Sequence, residues 1–133
     1  MLNYNIESVP ATHYTGALAQ YAAEGEEFPG LAGDGSGIIS GISIKSREQL
    51  DWQVEVWDSY DNILMSKSFE ATNANQQSIS DVLYYFYPVA DVEFPIPMTK
   101  PKGTVTIALR NLSSDSKTAG TNGAVTIFLN IMK

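Results

Sequence analysis

Apolar and polar positions alternate over most of the chain beyond residue 37. In GIISGISIKS, Ile38, Ile42 and Ile44 alternate with smaller or polar residues, the period-two pattern of a half-buried strand. Gly41 inside that run predicts a bulge or a close backbone approach. In DWQVEVW, Trp52, Val54 and Val56 share one face, and Gln53, Glu55 and Trp57 share the other. The turn formers DSYDN, residues 58–62, follow, and ILMSKSF returns with Ile63, Met65 and Phe69 on one side, which predicts a hairpin. Residues 82–87 are strongly β-prone. Pro88, Pro95, Pro97 and Pro101 then crowd the chain, so residues 92–96 are expected to form an edge strand or extended segment at most. Finally Val105, Ile107 and Leu109 alternate with Thr104, Thr106 and Ala108, and Val125, Ile127, Leu129 and Ile131 alternate with Ala124, Thr126, Phe128 and Asn130. About six or seven strands with turns between them point to an all-β sandwich or small barrel over residues 38–133.

Residues 1–37 read differently. Leu2, Tyr4 and Ile6 alternate like a short strand, and Pro10, Gly16, Gly25, Pro29, Gly30, Gly33, Gly35 and Gly37 then interrupt regular structure. The one helix candidate, ALAQYAAEGEEF at residues 17–28, is limited by Gly25 and Pro29 to about two turns. The expectation is an irregular N-terminal arm over residues 1–37, too apolar for plain disorder and ordered by lying on its own sandwich or on another subunit.

Length and composition narrow the picture further. A chain of 133 residues is one folding unit, and the absence of cysteine excludes disulfides, thiolate nucleophiles and zinc-thiolate sites. The net charge is −7, and residues 1–37 hold Glu7, Glu24, Glu26, Glu27 and Asp34 with no Lys or Arg. Without a basic stripe, phosphate backbones and anionic membrane surfaces are poor partners, so neither nucleic acid nor membrane is expected. MLNYNIESVP lacks the basic and apolar regions of a secretory signal, and no apolar run approaches the ~18 residues of a membrane span, so a protein assembled in a cytoplasm is expected.

Candidate chemistry is sparse. His13, the sole histidine, could serve a catalytic triad, but it sits in the Gly- and Pro-broken arm and reads as a surface or packed residue. GDGSG, residues 33–37, lacks the Lys-Ser/Thr of a P-loop and precedes a strand, so it reads as a hinge. DSYDN lacks the ligand spacing of an EF-hand loop and reads as a hairpin turn. Glu24, Glu26 and Glu27 read as a solvated acidic patch, and Asn111-Leu112-Ser113 as a chance match to a glycosylation acceptor. No catalytic, metal or cofactor-binding set emerges, and no enzymatic activity is expected. Aromatic residues are the better argument for a ligand. Alternation sends two of Tyr84, Tyr85, Phe86 and Tyr87 inward, whereas Trp57 and Tyr60 beside the turn are the expected exposed pair, a platform for a glycan.

An acidic, glycine-broken arm, a cysteine-free sandwich and the terminal KGTVTIALRNLSSDSKTAGTNGAVTIFLNIMK, two strands around a Ser/Thr/Gly/Asn loop, together resemble the small capsid decoration, or cement, proteins of tailed bacteriophages. The resemblance is one of organisation. It implies a non-enzymatic virion protein with a jelly-roll-like antiparallel β-sandwich at residues 38–133. It also implies dimers or trimers on the capsid surface and arms that grip the major capsid protein. On this reading Leu2, Tyr4, Ile6, Phe28 and Leu31 of the arm bind the partner, and a chain lacking residues 1–30 keeps a folded sandwich. A head-fibre or tail component and a carbohydrate-binding module are the alternatives.

Overall fold

In the computed structural model, which describes residues 6–14, 21, 23–28, 38–58, 60–97, 105–113 and 125–132, the period-two runs become strands. In chain order they are β1 (Ile6–Tyr14), β2 (Ala23–Phe28), β3 (Ile38–Ser46), β4 (Trp52–Trp57), β5 (Ile63–Phe69), β6 (Asn75–Ile79), β7 (Val82–Pro97), β8 (Val105–Asn111) and β9 (Val125–Met132). A single 3-10 turn, Ala71–Asn73, separates β5 from β6. The strands form two antiparallel sheets, one ordered β1-β9-β3-β7-β6 and the other β2-β8-β4-β5. The fold is an all-β sandwich.

Alternation explains the core. Ile42 and Ile44 of β3 and Val125, Ile127, Leu129 and Ile131 of β9 face Trp52, Val54 and Val56 of β4 and Ile107 and Leu109 of β8 across one buried cluster. Each such side chain contributes roughly 1.5–3 kcal/mol on leaving water. Ser40 is one extra residue of β3 against β9, and Gly41 beside it comes so close to β7 that a Cβ there would lie 3.0 Å from Val89 Cγ1. The bulge and the close approach expected of Gly41 are both present.

The pairing is nested. β1 pairs with β9, β2 with β8, β3 with β7 and β4 with β5, while β6 is added outside β7. Residues 1–37 therefore do not form a wholly irregular arm. β1 runs alongside β9 from Ile6↔Met132 to Tyr14↔Val125, and β2 alongside β8 from Ala23↔Arg110 to Phe28↔Val105. Residues 23–28 of the helix candidate are strand, because an open neighbouring edge outweighs weak local preference. A chain without residues 1–30 loses two strands, so the expectation of an intact sandwich after that deletion does not hold.

The two terminal strands, β8 and β9, belong to different sheets. Two further expectations change in detail. Residues 82–87 and 92–96 are parts of the single strand β7; β6 pairs only as far as Phe86, so the proline-bearing remainder lies at the sheet edge, where Pro is tolerated. On β5 a register shift opposite Val56 and Trp57 pairs Trp57 with Ile63, which is exposed and not on the buried side with Phe69.

The β6–β7 hairpin turns on Ser80 and Asp81, both at positive φ, 51° and 64°. A two-residue turn of this kind favours Asn-Gly, because other side chains are strained there. Replacing Ser80→Asn together with Asp81→Gly is expected to raise stability by about 1 kcal/mol. Urea denaturation checks this, and an unchanged or lower midpoint contradicts the turn geometry.

Candidate functional site

The outer face of the four-stranded sheet carries the most structured polar group. Val54 and Val56 point inward, so Gln53, Glu55 and Trp57 of β4 point outward beside Thr106, Ala108 and Arg110 of β8. Glu55 is only 4% exposed although it lies on that face. Its Oε1 accepts hydrogen bonds from Arg110 Nε at 3.1 Å and Nη2 at 2.9 Å. Arg110 Nη1 donates to the Tyr21 carbonyl at 2.7 Å, and the Tyr21 amide donates to the Asn111 carbonyl at 2.6 Å. Tyr21 takes a left-handed conformation, φ 62°, next to β2. Arg110 thus covers a buried carboxylate and anchors the chain entering β2.

A cavity of about 180 Å³ opens beside this pair, walled by Trp57, Asp61, Thr106, Glu55 and Arg110. Small residues keep it open: Ala23 and Ala108 line it, and a Cβ on Gly25 would stand 3.0 Å from Thr106 Cγ2. Trp57 is half-buried in the wall. Tyr60, expected as its partner, is 67% exposed and stands outside the lining, where Asp61 takes its place. The DSYDN turn explains Asp61. Asp58 Oδ1 accepts from the Tyr60 and Asn62 amides at 2.8 and 2.9 Å, and Oδ2 accepts from Asn62 Nδ2 at 3.1 Å. Asp61 then adopts φ 64°. The Asp58 carboxylate closes the turn. Among the described residues there is no group of three or more His, Cys, Asp or Glu that could hold a metal ion.

A second depression, about 550 Å³, lies where the two sheets part, lined among others by Phe69, Glu70, Asn75, Tyr87, Pro88 and Val89. Its wall is firm. Phe69 and Tyr87 meet edge to face at 6.3 Å, and the buried Tyr87 hydroxyl donates to the Leu50 carbonyl at 2.5 Å. Burial holds the Tyr87 phenol well above the usual tyrosine pKa, only partly offset by that hydrogen bond, so it stays neutral and structural. Of the four consecutive aromatics, Tyr85 and Tyr87 pack on the core side. Tyr84 and Phe86 meet on the opposite face with ring centroids 6.3 Å apart and planes tilted by 56°, and Lys45 Nζ lies 5.0 Å from the Tyr84 ring centre.

The other sequence candidates scatter. Ile6 opens β1 opposite Met132 and Phe28 closes β2 opposite Val105, while Leu2, Tyr4 and Leu31 lie outside the described residues, as does GDGSG at 33–37. His13 sits in β1 opposite Thr126. Glu24, Glu26 and Glu27 belong to β2. Asn111 is fully buried, and its Oδ1 accepts from the Ser113 amide at 2.9 Å, which removes it as a glycosylation acceptor. Most of loop 113–123 is outside the described residues. The Glu55–Arg110 pair, Asp61 and Thr106 were not legible as a group, because the β4–β8 register that unites them joins residues 55 apart.

Comparison of the chain with protein-family models, curated proteins and solved structures finds no match.

Removing Arg110 leaves the Glu55 carboxylate buried without its cation. Arg110→Ala is expected to cost about 3 kcal/mol, and Glu55→Leu combined with Arg110→Met to recover most of it. Thermal unfolding of the three chains checks this, and a loss below about 0.5 kcal/mol in Arg110→Ala contradicts a buried pair.

Proposed function

We propose that this chain is a non-enzymatic structural protein of a virion. It decorates the capsid as a homo-oligomer and stabilises the shell through contacts with the major capsid protein. The observation that carries this reading is the nested pairing of β1 with β9, β2 with β8, β3 with β7 and β4 with β5. We read it as the wiring of a jelly roll with β6 added, an architecture used by viral capsid proteins.

Three further features support it. The sheets end on β1 and β6, and on β2 and β5, so each offers strand edges to which a neighbouring subunit can add a strand. One of these edges, β6, is exposed along its whole length and reads NQQSI, polar enough to resist indiscriminate pairing. A net charge of −7 keeps densely displayed copies from aggregating. Gripping is assigned to the flanks of the first strands, Leu2 and Tyr4 ahead of β1 and Leu31 after β2, with Ile6 and Phe28 at the strand ends.

The test removes residues 1–5 and leaves every described strand in place. The shortened chain is expected to unfold within about 2 °C of the full chain, a shift below that of a 1 kcal/mol loss. It is also expected to lose co-sedimentation with shells of its own major capsid protein, which the full chain should show as a dimer or trimer by light scattering. Undiminished shell binding by the shortened chain removes the gripping role. A full-length chain that stays monomeric and ignores shells removes the decoration reading and leaves a fibre or tail location.

A further inference from the structure

We infer that the cavity at Trp57 is a binding site for a single neutral pyranose ring, such as the terminal residue of a cell-surface glycan. This inference is independent of the shell reading and goes beyond it. Glu55, a carboxylate more than nine-tenths buried, lines the cavity, and Arg110 engages only its Oε1. Among the described residues no donor meets Oε2, and the same holds for the Asp61 carboxylate and the Thr106 hydroxyl. Such groups at the wall of an open cavity hold unused hydrogen-bonding capacity for a ligand hydroxyl.

Arg110 adds the complementary half. A guanidinium carries five N–H groups, and among the described residues three meet acceptors, on Glu55 and the Tyr21 carbonyl, which leaves two to donate. The lining thus mixes acceptors (Glu55 Oε2, Asp61) with donors (Arg110, Thr106) around the indole of Trp57. A sugar hydroxyl both donates and accepts, and the C–H face of a pyranose packs on an aromatic ring, so this mixture suits a sugar. An ammonium ligand would also meet Trp57 and Asp61, but it would sit against the Arg110 charge. Size points the same way: at about 180 Å³ the cavity is smaller than the roughly 300–1,000 Å³ of drug-sized pockets, which suits one ring and not an oligosaccharide.

The test is a glycan array probed with the full-length protein, followed by saturation-transfer NMR with millimolar free hexoses. Expected are binding to glycans that share one terminal hexose, and transfer to that free hexose. Asp61→Asn and Thr106→Val, neither of which disturbs the core, are expected to weaken binding about fivefold or more, and Trp57→Ala about tenfold or more. Tyr84→Ala, on the other sheet, should leave it unchanged. Silence on both the array and NMR overturns the inference, as does binding that is equal in Trp57→Ala and Asp61→Asn. Trp57-dependent binding of lysine methyl ester without any sugar binding also overturns it and assigns the cavity to cations.

Discussion

The structure depends on satisfying two strands that have no free edge. β9 contributes Val125, Ile127, Leu129 and Ile131, all at 0% exposure, from the interior of its sheet, and β8 does the same with Ile107 and Leu109. Backbone N–H and C=O groups buried with such side chains must be paired on both sides. β3 and β4 supply one side of each, and only the N-terminal strands β1 and β2 supply the other. The two ends of the chain are thereby locked together, and the sandwich is complete only once residues 6–14 meet residues 125–132. Pairings this distant in sequence predict slow, late closure of the sheets.

That dependence explains which parts of the fold were legible in advance. β3, β4, β8 and β9 announce themselves, because each buries one face and alternates accordingly. β1 and β2 do not: IESVPATHY carries a proline and AEGEEF carries a glycine and three carboxylates. Their strand character comes from the edge they cover and not from their own side chains. β6, NQQSI, is exposed along its whole length and so lacks any hydrophobic period. β7 reads as two elements because its prolines and register shifts break the pattern within one continuous strand. The site was legible only at Trp57, placed by its position beside a turn. Glu55, Arg110 and Thr106 look like ordinary outward residues until the β4–β8 register sets them side by side.

The same register builds both the buried ion pair and the cavity wall. Arg110 holds Glu55 in place, fixes the Tyr21 carbonyl at the entrance to β2, and keeps unused N–H groups beside Trp57. Apart from Asp61 in the turn, the lining residues stand on strands β2, β4 and β8. The opposite face carries Lys45 over the Tyr84 ring and Phe86 beside it.

The N-terminal strands are integral to both sheets. Cross-strand Hα–Hα and amide NOEs on the uniformly labelled chain test this. Expected are NOEs linking Ser8 with Asn130 and Val9 with Leu129 in one sheet, and Glu26 with Ile107 in the other. Random-coil shifts for residues 6–14 and 23–28, with β3, β4, β8 and β9 folded, would contradict it.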